Sequence, residues 1–129
     1  MKVLLSPAKS IDTSSIPDVK DSSVSSFLKE SEQLVNKLKK FSVKKLESTM
    51  HISRDLAELN VERFSNWTLP LERTETIVPA AFAFNGEVYR GLDIQSLSDE
   101  ELAKAQSMIR ILSGMYGILK PLDLMYPYR

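Results

Sequence analysis

The sequence predicts an α/β fold in which a mixed sheet is flanked by helices, and two observations carry that expectation. Short apolar runs that suit strands alternate along the chain with longer segments of helical periodicity. The runs also end on proline, glycine and serine, which close strands. Strands are expected at Lys2–Ser6, Ala81–Phe84 and Ile109–Ser113, all in one sheet. A chain of 129 residues, 43% hydrophobic and 26% charged, can bury one core, so one unit is expected.

In the first run Val3, Leu4 and Leu5 are expected inside, and Pro7 ends it because proline cannot donate to a ladder. Ligands gather at the carboxyl ends of parallel strands in open α/β sheets, so Ser6 and Lys9 of the SPAK segment are candidate contacts for an anion or a carbonyl. The plainer reading of Lys9 is a solvated surface lysine. Ile11–Ser26, rich in serine, aspartate and threonine, reads as a loop. A helix is expected from about Ser23 to Lys40, with Val24, Phe27, Leu28, Leu34, Val35 and Leu38 at helical spacing and Asp21, Ser22 or Ser23 as its cap.

Residues 43–66 read as two helices joined by a short turn, with Ser53 capping the second. The run HISRDLA, His51–Ala57, lies over the GIGxxxA pattern of a helix-hairpin-helix, whose glycines open the turn so that its amides can grip a DNA phosphate. His51 and Ser53 stand at the two glycine positions. The first amides of the second helix still favour an anion. Lys37, Lys39, Lys40, Lys44 and Lys45 crowd the flank, while Glu47, Asp55, Glu58 and Glu62 are interleaved. Candidate DNA contacts are therefore Lys44, Lys45, His51, Ser53, Arg54 and Arg63, weighed against an ordinary solvated helix face.

Leu56, Leu59, Phe64 and Trp67 are expected on the buried side of the second helix, which runs to about Ser65, and Thr68–Thr76 reads as loop. After the strand expected at Ala81–Phe84, Asn85 and Gly86 signal a turn, and the segment through Tyr89 fits either a hairpin arm or a helical turn. Ser98, with Glu101 three residues on, is a capping box that opens a helix leading to Ile109.

The final stretch, IRILSGMYGILKPLDLMYPYR, begins with a run expected to be buried on both faces. Gly114 and Gly117 then bracket Met115 and Tyr116, permitting positive φ or a close approach at two points. With β-strands at Lys2–Ser6 and Ile109–Ser113 parallel, the two following loops share a sheet edge, giving a candidate ligand pocket of Ser6, Lys9, Ser113, Gly114, Tyr116 and Gly117. Lys9, Ser113 and Tyr116 are its candidate catalytic groups, Lys9 and Tyr116 being expected on loops outside the core; no reaction is selected. The competing reading is a tight connection with no ligand.

Composition narrows the chemistry. Lys plus Arg and Asp plus Glu both number 17, so any polyanion binding must be local. With no cysteine and only His51, disulfides, thiolate zinc sites and multi-histidine metal centres are excluded, and no Glu-x-x-His pairing of the di-iron type is present. Neither metal nor cofactor is expected. No apolar run approaches membrane-spanning length, so a cytoplasmic protein without a membrane partner is expected.

LLSPAK (Leu4–Lys9), FNGEVYRGLD (Phe84–Asp93) and AQSMIRILSGMYGILKPLDLMYPYR (Ala105–Arg129), in that order, resemble the YaaA family of bacterial peroxide-stress proteins, as does MHISRDLAELNVERFSNW. The resemblance implies a cytosolic protein that limits free iron and oxidative DNA damage under hydrogen peroxide and binds DNA through a helix-hairpin-helix. It also implies that residues 1–129 are the N-terminal part of a longer single domain, because family members are longer. The leading expectation is sequence-independent binding of double-stranded DNA. The alternative is an enzyme or a binder of a nucleotide or other small molecule, using the SPAK and SGMYG loops.

Overall fold

The computed structural model describes residues 1–14, 16–19 and 21–128. Ser15 and Lys20 of the expected loop, and Arg129 at the end of the last motif, lie outside them. In chain order the elements are β1 (Val3–Leu5), β2 (Ser10–Ile11), α1 (Leu28–Leu38), α2 (Val43–Met50), α3 (Arg54–Asn66), β3 (Val78–Pro79), α4 (Ala80–Ala83), β4 (Phe84–Asn85) and α5 (Glu87–Leu92). A 3₁₀ turn (Ile94–Ser96) precedes α6 (Asp99–Met108), β5 (Ile109–Ser113), β6 (Gly117–Leu119) and β7 (Leu124–Met125). The fold is mixed α/β, as expected.

The principal sheet has the order β1-β5-β6. β1 runs parallel to β5, Val3 opposite Ile109 and Leu5 opposite Ile111, and β6 returns antiparallel, with Ser113 opposite Gly117. Two of the three expected strands therefore share a sheet. The third does not: Ala80–Ala83 form a turn of helix, and β4 pairs with β2 in a separate two-stranded ladder. Alanine favours helix, and Pro79 enters the turn at φ −62°. The amides of Ala80 and Ala81 then bond to the carbonyls of Asp123 and Pro121 at 2.9 and 3.0 Å, so this small-residue segment packs on the chain's last ladder, β3 against β7.

Burial of the sheet also departs from expectation. Val3 and Leu4 are exposed, Leu4 by 64%, because β1 is the outer strand of its sheet. Ile111 is fully buried while Leu112 beside it is exposed, the alternation of a strand covered on one face. α1 starts at Leu28, several residues later than expected, with no side-chain cap. The serines before it are used elsewhere: Ser23 donates to the buried Asp123 carboxylate at 2.5 Å, and Ser25 donates to the Tyr116 carbonyl at 2.9 Å. Segment 87–92 resolves as helix, and Ser98 with Glu101 forms the expected capping box. Accepting from the Ser98 amide at 2.9 Å holds the Glu101 carboxyl below its usual range.

Candidate functional site

The parallel pairing of β1 and β5 brings the SPAK and SGMYG segments to the same sheet edge. Ser6 is engaged through its carbonyl, which accepts from the Tyr89 hydroxyl at 2.6 Å. The second loop then folds inward. Its Tyr116 amide donates to Ser113 Oγ at 3.0 Å, Ser31 donates to the Met115 carbonyl at 2.7 Å, and Ser25 holds the Tyr116 carbonyl. Tyr116, expected on a loop outside the core, is completely buried. Its hydroxyl accepts from Trp67 Nε1 and from the Tyr126 amide, both at 2.9 Å. Burial pushes this phenol far above the ordinary tyrosine pKa, which keeps it neutral. Gly117 does adopt positive φ, +75°, but a Cβ there would come within 3.0 Å of the Phe27 ring, so the close approach is to the protein itself. Gly114 is exposed, and nothing lies within 4 Å of the place its Cβ would take.

Lys9 lies elsewhere on this edge. It shares a cleft of about 230 Å³ with Ser10 and Ile11 on one side and Leu56, Leu59 and Arg63 of α3 on the other. Tyr128 completes the lining, and its hydroxyl is 2.6 Å from Ser113 Oγ. Ser113 thus supports this cleft from behind. Two residues assigned by sequence to different sites, Lys9 and Arg63, line one hollow. A second hollow of about 310 Å³ shares Leu59 and Arg63 and continues past Asn66 to Tyr126. Tyr128 was not among the expected site residues, although it lies within the last motif that the sequence singles out.

Electrostatically the cleft is one-sided. Among the described residues no carboxylate lines it. Among the described residues Arg63 makes neither a hydrogen bond nor an ion pair, and partial burial lowers its guanidinium pKa. Burial likewise raises the Tyr128 phenol, against a smaller opposing effect of its bond to Ser113.

The other expected contacts are grouped around the α2–α3 turn. α2 ends at His51, which takes the left-handed conformation (φ 54°, ψ 50°), and Ser53 caps α3 by accepting from the Leu56 amide at 3.3 Å. His51, Ser53 and Arg54 are exposed at this tip. The Arg54 guanidinium pairs with Glu58 at 3.2 Å. Lys44 and Lys45 sit at the start of α2, roughly 9 Å along the helix from the tip, where Lys45 Nζ lies 4.2 Å from the centre of the Phe41 ring. Arg63 is on the last turns of α3, roughly 13 Å from Arg54 along the axis. The six residues thus occupy three places rather than one. Among the described residues no three His, Asp or Glu side chains gather in a way that could hold a metal ion, and no helix is long and apolar enough to cross a membrane.

The sequence model of the family described as peroxide stress protein YaaA matches residues 1–129. A UPF0246 protein of Flavobacterium psychrophilum is 48% identical over 129 residues, which are all of this chain and 51% of that protein. UPF0246 proteins of Dechloromonas aromatica and Ralstonia pickettii are 46% and 45% identical over the whole chain, each covered to 50%. The chain thus spans about half the length of the curated relatives it matches.

Proposed function

Because the chain belongs to the family of the peroxide stress protein YaaA, we propose that it forms part of a cytoplasmic DNA-binding protein of the response to hydrogen peroxide, one that limits free iron and oxidative DNA damage. The observation that carries this reading is the α2–α3 tip. A left-handed residue at His51 turns the chain within three residues, and the amides of Arg54 and Asp55 then open the 13-residue α3 without intrahelical acceptors. Such a turn presents donors and the positive end of a helix dipole to a phosphate. Lys44 and Lys45 supply charge to the adjoining phosphates. On a neutral chain this attraction is local, and phosphate contacts position a protein without reading bases, so binding is independent of sequence. The reading assigns no reaction to the chain and places no iron ion among the described residues, which lack a ligand cluster for one.

The test is fluorescence anisotropy of the full-length protein with duplex DNA over a salt series. Affinity falls steeply with salt, and replacing Lys44 and Lys45 together by alanine flattens the slope by about one to two units. An unchanged slope moves the duplex site off this helix pair. Absence of binding at low salt removes the reading.

A further inference from the structure

The cleft between the SPAK segment and α3 has features that duplex binding at the α2–α3 tip does not use. Arg63 is a partly buried cation without an acceptor among the described residues, and Lys9, likewise without one, lines the same hollow. Burying part of a guanidinium without a counter-charge costs free energy. A bound phosphate would supply the missing acceptor, and guanidinium geometry suits phosphate oxygens in bidentate contact. The remaining lining is of a different kind: Leu56 and Leu59 are apolar, and Tyr128 is an aromatic ring. That ring is fixed by its hydroxyl contact with Ser113 and by edge-on packing on Tyr116 and Phe84, with centroids 5.7 and 6.5 Å apart.

We propose that this cleft binds one nucleotide bearing a terminal phosphate, the phosphate held by Lys9 and Arg63 and the base lying on Tyr128. Size argues for a single nucleotide. A hollow of about 230 Å³ cannot take a duplex, whose major groove alone is about 12 Å wide. Base–aromatic stacking accepts any base because every base has a π-face, so the site selects for the phosphate and for an aromatic base without choosing among bases. Its ligand is either a free nucleoside monophosphate or the 5′-phosphorylated end of a DNA strand, which present the same groups.

The test uses full-length protein and isothermal titration with three probes: thymidine 5′-monophosphate, thymidine and inorganic phosphate. The monophosphate binds at least about tenfold more tightly than either of the others. Arg63→Gln and Lys9→Gln each weaken it by about tenfold, Arg63→Lys less, and Tyr128→Leu lowers it toward the affinity of inorganic phosphate; thermal unfolding of each variant shows that the fold persists. Should Arg63→Gln fail to fold, Lys9→Gln decides, because Lys9 is exposed and outside any strand. Oligonucleotides with 5′-phosphate and 5′-hydroxyl ends separate the two sources: a preference for the phosphorylated end that Arg63→Gln abolishes assigns the strand end, and tight monophosphate binding without that preference assigns the free nucleotide. Equal affinity for thymidine and its monophosphate overturns the proposal, as does monophosphate binding untouched by both glutamine variants. Equal binding of monophosphate and inorganic phosphate overturns its nucleotide part. The Lys44 and Lys45 double variant keeps full monophosphate affinity, so failure here is distinguishable from failure of the duplex reading.

Discussion

Among the described residues three turns place a residue in the left-handed region, and two of them, at Gly117 (φ +75°) and His51 (φ +54°), differ in almost everything else. The loop at 113–117 is pinned by hydroxyls from Ser25, Ser31 and Ser113 and inserts Tyr116 into the core. The turn at 51–53 stands at the surface, with His51 and Ser53 exposed. Glycine is required in the first because a Cβ would strike Phe27, whereas at a helix C-terminus with open space a histidine needs only to meet the modest left-handed cost. Glycine here marks packing density. Its absence at His51 leaves the shape of the turn intact, and its presence at Gly117 makes room for the Phe27 ring.

The largest break in this contrast comes from Tyr116. Tyr116→Ala empties the centre of the buried loop and costs about 3–5 kcal/mol of stability, while Tyr116→Phe strands Trp67 Nε1 and the Tyr126 amide and costs about 1–3 kcal/mol; urea unfolding of the full-length protein measures both. A loss below about 0.5 kcal/mol for the alanine variant would mean the loop is not structural. Gly117→Ala comes next at about 2–3 kcal/mol, from a strained φ added to overpacking on Phe27. Alkaline titration gives a further measure of the packed side. The Tyr89 phenol is pushed up to about 12 by burial and by the neighbouring Tyr128. A phenol raised in the fold ionises first in the unfolded chain, so its contribution to stability is full below about pH 10 and declines as pH rises towards 12. Tyr89→Phe therefore has a shallower loss of melting temperature over that window than the parent protein.

The exposed turn yields the smaller effects. Ser53→Ala removes the cap of α3 and costs about 1 kcal/mol. His51→Gly relieves the left-handed residue but loosens the unfolded chain, for a net gain of about 0.5 kcal/mol or less. A loss greater than 1 kcal/mol in that variant would show that the His51 side chain packs, and the contrast between the two turns would close.

Much of this arrangement was legible in the residues, and the parts that were not share a cause. The helix pair over 43–66, the Ser98 and Glu101 capping box and the pairing of the first strand with Ile109–Ser113 follow from periodicity, capping chemistry and apolar runs, all of which are local. The helical turn at Ala80–Ala83 escaped because a short apolar run has no period that separates strand from helix, and its first two amides are satisfied by residues 43 and 40 positions away. Tyr116 reads as a ligand-facing residue between two glycines until Trp67 is placed against it. Lys9 and Arg63 each carried a legible charge, but their meeting depends on α3 lying beside the segment Lys9–Ile11, a tertiary fact with no local signature.

The pairing of Val3 with Ile109 and of Ser23 with Asp123 also sets a schedule for the growing polypeptide. At roughly 5–20 residues per second, β1 leaves the ribosome on the order of ten seconds before β5 exists to receive it. Contacts of such separation form late and slow the folding rate. During that interval the apolar Val3–Leu5 strand lacks the partner that satisfies its backbone in the finished fold.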